Sequence, residues 1–125
     1  MSPDPDTDLE RIRAICLALP RATEKRSHGS PVFFIEKGKT FAWFIHNHHG
    51  NGITSVAVKT SGAEEQDMLV EQDPELYYRP AYLAPSGWIG LRLDGGSTDW
   101  DHVAGRIATS WEMVAPRKLL EMGGR

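Results

Sequence analysis

Apolar residues recur every three or four positions near both ends of the chain, which is the spacing of amphipathic helices. We predict a first helix over residues 7–18, with Thr7 and Glu10 as a capping box and Pro20 as its end. A long helix is predicted to begin near Thr98, and a short one follows Pro116. The apolar stripe of the long helix consists of Trp100, Val103, Ile107, Trp111 and Val114.

Between these helices the pattern changes to short apolar runs rich in β-branched and aromatic residues, which is typical of strands. We predict strands over residues 31–37, 39–46, 53–60 and 87–94. The pairs Lys37-Gly38 and Asn51-Gly52 predict turns, and Gly38 is expected to take a positive φ. The acidic stretch from Ser61 to Asp73 predicts one more helix, with Ser61 and Glu64 as its capping box.

The predicted order of elements is helix, three strands, helix, strand, helix. Short links between the first three strands require antiparallel pairing. The sequence therefore predicts a two-layer α+β fold, with an antiparallel sheet and helices on one face. We expect one domain over residues 1–125, in which residues 1–6 form a flexible lead-in.

Strand alternation assigns side chains to the sheet face that no helix would cover. If Val56 and Val58 point into the core, Lys59 points away from it. By the same argument Trp88 and Arg92 lie opposite the core-facing Ile89 and Leu91. The strand at residues 39–46 is apolar on both sides, so its pattern does not orient it; one orientation would add Lys39, Phe41 and Trp43 to the uncovered face.

Basic side chains beside flat aromatic rings suit phosphates and stacked bases. The alternative interpretation is that Trp88 is buried under the loop at residues 76–86, while Lys59 and Arg92 only solvate the surface.

Composition narrows the class of protein. Hydrophobic residues make up 40% and charged residues 25% of the chain, which excludes wholesale disorder. No apolar run approaches the ~20 residues that a membrane-spanning helix needs, and residues 1–6 do not resemble a secretory signal. The single cysteine, Cys16, allows no internal disulfide and fits a reducing compartment, so we expect a cytoplasmic protein.

The net charge of −3 is unevenly distributed. Residues 64–75 contain acidic side chains and no basic ones, whereas residues 25–63 contain several basic side chains and only one acidic residue, Glu36. The positive charge therefore lies in the aromatic middle of the chain, where it could meet a polyanion.

Sequence patterns of enzymes and metal sites are weak. We find no hydrolase elbow, dinucleotide fingerprint or phosphate-binding loop. Cys16 lies on an apolar helix stripe, which favours an inert core thiol over a nucleophile. The tract with His46, His48 and His49 lacks a second set of ligands. We therefore expect no enzymatic activity, no metal and no cofactor.

Several short segments, in order, resemble the MmcQ/YjbR family. They are Leu19-Pro20, Ala22-Thr23-Glu24, His28-Gly29-Ser30-Pro31-Val32-Phe33, Gly38-Lys39-Thr40-Phe41-Ala42, Val58-Lys59, Tyr78-Arg79-Pro80-Ala81-Tyr82-Leu83, Gly87-Trp88-Ile89 and Ser110. The resemblance implies a frataxin-like fold with a double wing and a DNA-binding role. It also implies recurring positions at His28, Lys39, Lys59, Tyr82 and Trp88.

We therefore predict a monomeric, non-enzymatic DNA-binding protein with an open, basic-aromatic sheet face. Lys39, Lys59 and Arg92 would contact phosphates, and Tyr82 or Trp88 would pack or stack. The alternative is a binding domain for a protein or an anionic small molecule, in a pocket that the loop at residues 76–86 makes around Lys59 and Trp88.

Overall fold

One antiparallel sheet with helices on one side forms the fold. The computed structural model describes residues 5–46, 53–93 and 97–121. The helices are α1 (Pro5–Leu17), α2 (Ala63–Gln72), α3 (Trp100–Val114) and α4 (Arg117–Glu121), with a short 3-10 helix at Ala84–Ser86. The strands are β1 (Ala22–Ser27), β2 (Ser30–Ile35), β3 (Thr40–His46), β4 (Thr54–Lys59), β5 (Tyr77–Tyr78) and β6 (Trp88–Arg92). They pair in the order β1-β2-β3-β4-β6-β5.

The helix layer packs on one face of the sheet and buries the apolar stripe of α3. Trp111 is fully buried, and its indole Nε1 donates to the carbonyl of Pro20 at 3.0 Å. Helix α2 lies on the same side, because Leu69 joins the core and Glu65 pairs with Arg106 of α3 at 3.5 Å. The predicted two-layer α+β fold is confirmed.

The core face of the central strands follows the predicted alternation. Val56, Val58, Ile89 and Leu91 are all fully buried in the core beneath the helices. Strand β3 departs from simple alternation, because Phe33 pairs with Ala42 while Phe34 pairs with Thr40. Phe41 is therefore the extra residue of a β-bulge, and it turns into the core while Trp43 faces the other side.

Strands β1 and β5 lie at the two edges of the sheet, and the sequence pattern did not predict either. Strand β1 reads Ala-Thr-Glu-Lys-Arg-Ser and has no apolar alternation. A two-residue turn joins β1 to β2: His28 and Gly29 have φ values of 52° and 82°, as a type I′ hairpin requires.

The turn between β2 and β3 corrects one prediction. Lys37, with φ of 62°, adopts the left-handed conformation, whereas Gly38 does not. A Cβ on Gly38 would lie 3.2 Å from the carbonyl oxygen of Ile35, so this glycine serves a close approach of backbone.

Both predicted capping boxes are wrong. Helix α1 begins at Pro5, so Thr7 lies inside the first turn, and residues 5 and 6 belong to the helix rather than to a lead-in. Gly62 is the N-cap of α2. Ser61 instead donates from its amide at 2.7 Å and its hydroxyl at 3.1 Å to Glu65, one residue beyond the expected partner. The amide hydrogen bond from Ser61 is the main reason that the pKa of Glu65 is lowered.

Candidate functional site on the open sheet face

The helices leave one face of the sheet uncovered, and we call it the open face. Its strand positions carry basic side chains and, within the described residues, no acidic ones. The open-face strand positions are Thr23, Lys25, Ser27, Ser30, Val32, Phe34, Thr40, Trp43, Ile45, Ser55, Ala57, Lys59, Tyr78, Trp88, Gly90 and Arg92. Val32 and Ala57 on this face are buried although none of the helices in the described part of the chain lies above them, so neighbouring side chains shield the strands.

Cations lie over aromatic rings at three places on the open face. Each pair joins two neighbouring strands of the sheet, and the cation covers part of the flat face of the ring. The distances from the cation to the ring centroid are 4.7 Å for Lys25 and Phe34, 5.6 Å for Lys59 and Trp88, and 4.9 Å for Arg92 and Tyr78. His28 adds a stacked contact on Trp43, with ring centroids 6.4 Å apart.

Trp88 is buried beneath its neighbours rather than displayed. Its side chain is 6% exposed, and Lys59 Nζ crosses it to donate to the carbonyl of Ser86 at 2.8 Å. Gln66 fixes the same region from below, since its Nε2 donates to the carbonyls of Ala84 at 2.8 Å and Trp88 at 2.7 Å. A base could stack on Trp88 only if Lys59 and this loop moved.

Arg92 is occupied within the protein. Its Nη1 lies within 3.1 Å of the carbonyl oxygens of Pro74 and Glu75. The guanidinium also covers Tyr78, whose hydroxyl is 2.5 Å from Ser55 Oγ. Burial raises the pKa of Tyr78. Arg92 therefore joins the segment after α2 to the edge of the sheet.

Lys39 and Tyr82 lie at the surface, as a binding role requires. Lys39 is exposed in the turn before β3, and its carbonyl accepts from the amide of Ile35 at 3.0 Å. Tyr82 is 81% exposed at the tip of the loop that precedes β6. Of the residues predicted from sequence, Lys39, Lys59 and Tyr82 thus remain near solvent, while Trp88 and Arg92 are engaged in packing.

Four lysines lie on or beside the open face, toward the end of the sheet where β3 begins, and we call them the basic corner. Lys37 and Lys39 are exposed in the β2–β3 turn, and Lys59 ends β4 at the same end of the sheet. Lys39 lies opposite the core residue Ile35, whose amide donates to its carbonyl, so its position borders the open face rather than belonging to it. Lys25 is exposed on β1 and reaches over Phe34. The sequence pattern missed the contribution of Lys25 because it did not predict β1; the His28-Gly29 pair is the signal that could have revealed the hairpin.

A cavity of about 580 Å³ lies at the opposite end of the sheet. Neither Lys59 nor Trp88 lines it, so it differs from the pocket that the alternative prediction required. At its rim the hydroxyl of Tyr77 lies 2.5 Å from His102 Nε2, and burial raises the pKa of this tyrosine. His46 Nδ1 is 2.7 Å from Thr54 Oγ1.

Two features of the sequence bear on metal and thiol chemistry, the histidine tract and Cys16. The parts of the chain that the structure describes hold no cluster of three or more potential His, Cys, Asp or Glu ligands. His48 and His49 of the predicted histidine tract lie outside the described residues. Cys16 is fully buried in the core, and this burial raises the pKa of its thiol.

Comparison with known proteins decides the family. The YjbR family model matches residues 17–113. The chain belongs to the YjbR family. A solved structure similar to this YjbR domain is that of the Deinococcus radiodurans protein DR2400, which carries a domain of the DUF419 family model. The TM-score is 0.70 and the identity 16%, over 94% of this chain and 88% of the other, so the likeness shows a shared fold.

A search among the curated proteins gave no match. Among the described ranges of this YjbR domain, no helix is long and apolar enough to cross a bilayer.

Proposed function

We propose that this YjbR domain is a non-enzymatic module that binds nucleic acid through its open face and the basic corner beside it. The observation that supports the proposal is the distribution of charged side chains on the open face of the sheet. The open-face strand positions within the described residues include Lys25, Lys59 and Arg92 but no carboxylate. A polyanion that approaches this face meets attraction without local repulsion.

The basic corner replaces the set of phosphate ligands predicted from sequence. Arg92 is already bonded to backbone carbonyls, so we assign it a structural role. Lys37 and Lys39 are exposed, and Lys25 extends the charge across β1. Three or four phosphate contacts follow, and such contacts hold a nucleic acid without reading its sequence. Membership in YjbR fits this role, since the family resemblance implied a DNA-binding function.

Fluorescence anisotropy with short labelled DNA tests the proposal. Three to four phosphate contacts imply that affinity falls about 40- to 150-fold between about 50 and 200 mM salt. Lys39→Ala should weaken binding and flatten the plot of log affinity against log salt by about one unit. Lys39 is a better choice than Lys59, whose loss would also leave the Ser86 carbonyl without its donor.

Lys118→Ala is the matched control. Lys118 is an exposed lysine of α4, on the side of the sheet where the helices pack. We expect it to leave both affinity and salt dependence unchanged. Equal effects of the two substitutions, or no binding at about 50 mM salt, would contradict the proposed interface.

A further inference from the structure

Tyr82 combines strong exposure with an unfavourable backbone conformation. Its side chain is 81% exposed and its φ is 67°. A bulky residue at positive φ is uncommon in proteins, because the side chain crowds the backbone there. Asparagine or glycine would take this position with less strain and without exposing a large ring. Strain of this kind concentrates at sites of function.

The loop that carries Tyr82 is held firmly on both sides. Pro80 is buried, and its carbonyl accepts from the amide of Ala84 at 3.0 Å. Beyond the tip, Gln66 Nε2 holds the carbonyl of Ala84, and Thr60 Oγ1 donates to the carbonyl of Gly87 at 2.8 Å. The ring is therefore presented from a supported loop, which reduces the entropy that a ligand must remove on binding.

The ring also lies close to the basic corner. Tyr82 and Ser86 are four positions apart in the chain, so their Cα atoms are at most about 14 Å apart. The carbonyl of Ser86 holds Lys59 Nζ at 2.8 Å. One short strand of nucleic acid can therefore reach both the lysine and the tyrosine.

We infer that Tyr82 is a stacking platform for an unpaired base, so that the preferred ligand is single-stranded nucleic acid. This inference rests on the proposed function and adds the form of the ligand to it. Bases of a duplex have their faces covered by their neighbours, whereas an unpaired base offers a free face to an aromatic ring. Such stacking tolerates any base, which suits a surface whose other contacts are phosphates.

The test uses single-stranded DNA of about 12 nucleotides that carries 2-aminopurine, a base whose fluorescence is quenched by stacking, and the matching duplex. We expect the wild-type chain to bind the single strand more tightly and to quench its fluorescence. Tyr82→Leu should weaken this binding about five- to 150-fold and remove the quenching. It should leave the salt slope and the duplex affinity unchanged, while Tyr82→Phe behaves as wild type.

Leu120→Ala provides the control for loss of an exposed apolar side chain, since Leu120 is 44% exposed on α4. Thermal unfolding of each variant verifies that the fold is retained. If salt-dependent binding persists but Tyr82→Leu changes neither affinity nor quenching, the stacking inference is overturned and the proposed function stands. If neither DNA form binds, the proposed function itself fails, and the inference fails with it.

Discussion

The hydroxyl of one serine in the helix layer forms hydrogen bonds with two backbone groups of the sheet. Ser110 of α3 donates to the carbonyl of Phe41 at 2.6 Å and accepts from the amide of Lys59 at 2.9 Å. Phe41 is the bulge residue, which has no partner on β2 in the pairing of β2 with β3. Ser110 is fully buried, so water cannot replace it there.

We therefore expect Ser110→Ala to lower the free energy of unfolding by about 2 kcal/mol, because it leaves a buried carbonyl and a buried amide without partners. Urea unfolding at neutral pH measures this loss. Thr109→Ala is the control: its hydroxyl donates to the carbonyl of Gly105 near the surface, and we expect a change within about 0.5 kcal/mol. Equal losses of unfolding free energy in the two variants would show that the hydroxyl of Ser110 does not stabilise the sheet in this way.

The two-residue strand β5 is held on β6 by the ring of Tyr78. A Cβ on Gly90 would lie 2.3 Å from Cε1 of this ring. Arg92 and Ser55 hold the ring in place from either side. Gly90 therefore permits the close packing that a strand with so few backbone hydrogen bonds needs.

Two glycine substitutions should have opposite effects. Gly90→Ala forces Tyr78 out of its position and should destabilise the protein by about 1–3 kcal/mol. Gly105→Ala, within α3 and with no atom within 4 Å of its Cβ, should stabilise it by about 0.5–1 kcal/mol. Differential scanning calorimetry would record melting temperatures that move in opposite directions. A neutral Gly90→Ala would mean that the Tyr78 ring is not held as described.

Helix α1 is tied to the edge strand β1 by a two-pronged ion pair. Arg13 donates from Nε to Glu24 Oε1 at 2.6 Å and from Nη2 to Oε2 at 2.9 Å. The hydrogen bond from Arg13 holds the pKa of Glu24 below its usual value, although partial burial opposes this. A lowered carboxyl pKa means that the folded state binds this proton less readily than the unfolded state does.

The resulting stabilisation is complete above the ordinary glutamate pKa of about 4.5 and is lost as the pH falls through the lower folded-state value. Glu24→Gln should therefore reduce stability at pH 7 by up to about 1 kcal/mol and have less effect near pH 3. Urea midpoints measured from pH 7 down to pH 3 test this, and a constant difference across that range would contradict it.

Across the whole molecule, charge of opposite sign is separated. The basic corner lies on and beside the open face, whereas α2 carries exposed Glu64 and Glu71 on the helix side. The ion pair between Asp67 and Arg79 neutralises only part of that acidic surface. A polyanion is thus attracted from one side and repelled from the other, which favours one orientation of approach.

Neutralising Glu64→Gln and Glu71→Gln together should therefore raise the affinity for DNA less than tenfold at about 50 mM salt. The gain should vanish at about 200 mM, where charges more than about 8 Å apart are screened. Anisotropy titrations at both salt concentrations measure the effect. A gain that survives high salt would instead indicate direct contact between α2 and the DNA.

The amino-acid sequence alone determined the α+β class, the apolar stripe of α3 and the core residues of the central strands. These features depend on local periodicity, which reports which face of an element is buried. The sequence also contained the segments that resemble the YjbR family. The pattern of apolar residues did not reveal β1, because a polar edge strand forms only when its hairpin partner supplies the hydrogen bonds.

The candidate site depended on tertiary structure. The bulge at Phe41 decided which side of β3 Trp43 occupies, and carbonyls far along the chain decided that Arg92 is engaged. Trp88 is buried because Lys59 and the loop before β6 close over it. Local periodicity states only which face a side chain takes. Whether that side chain remains available depends on residues that are distant in sequence and that meet only when the strands pair.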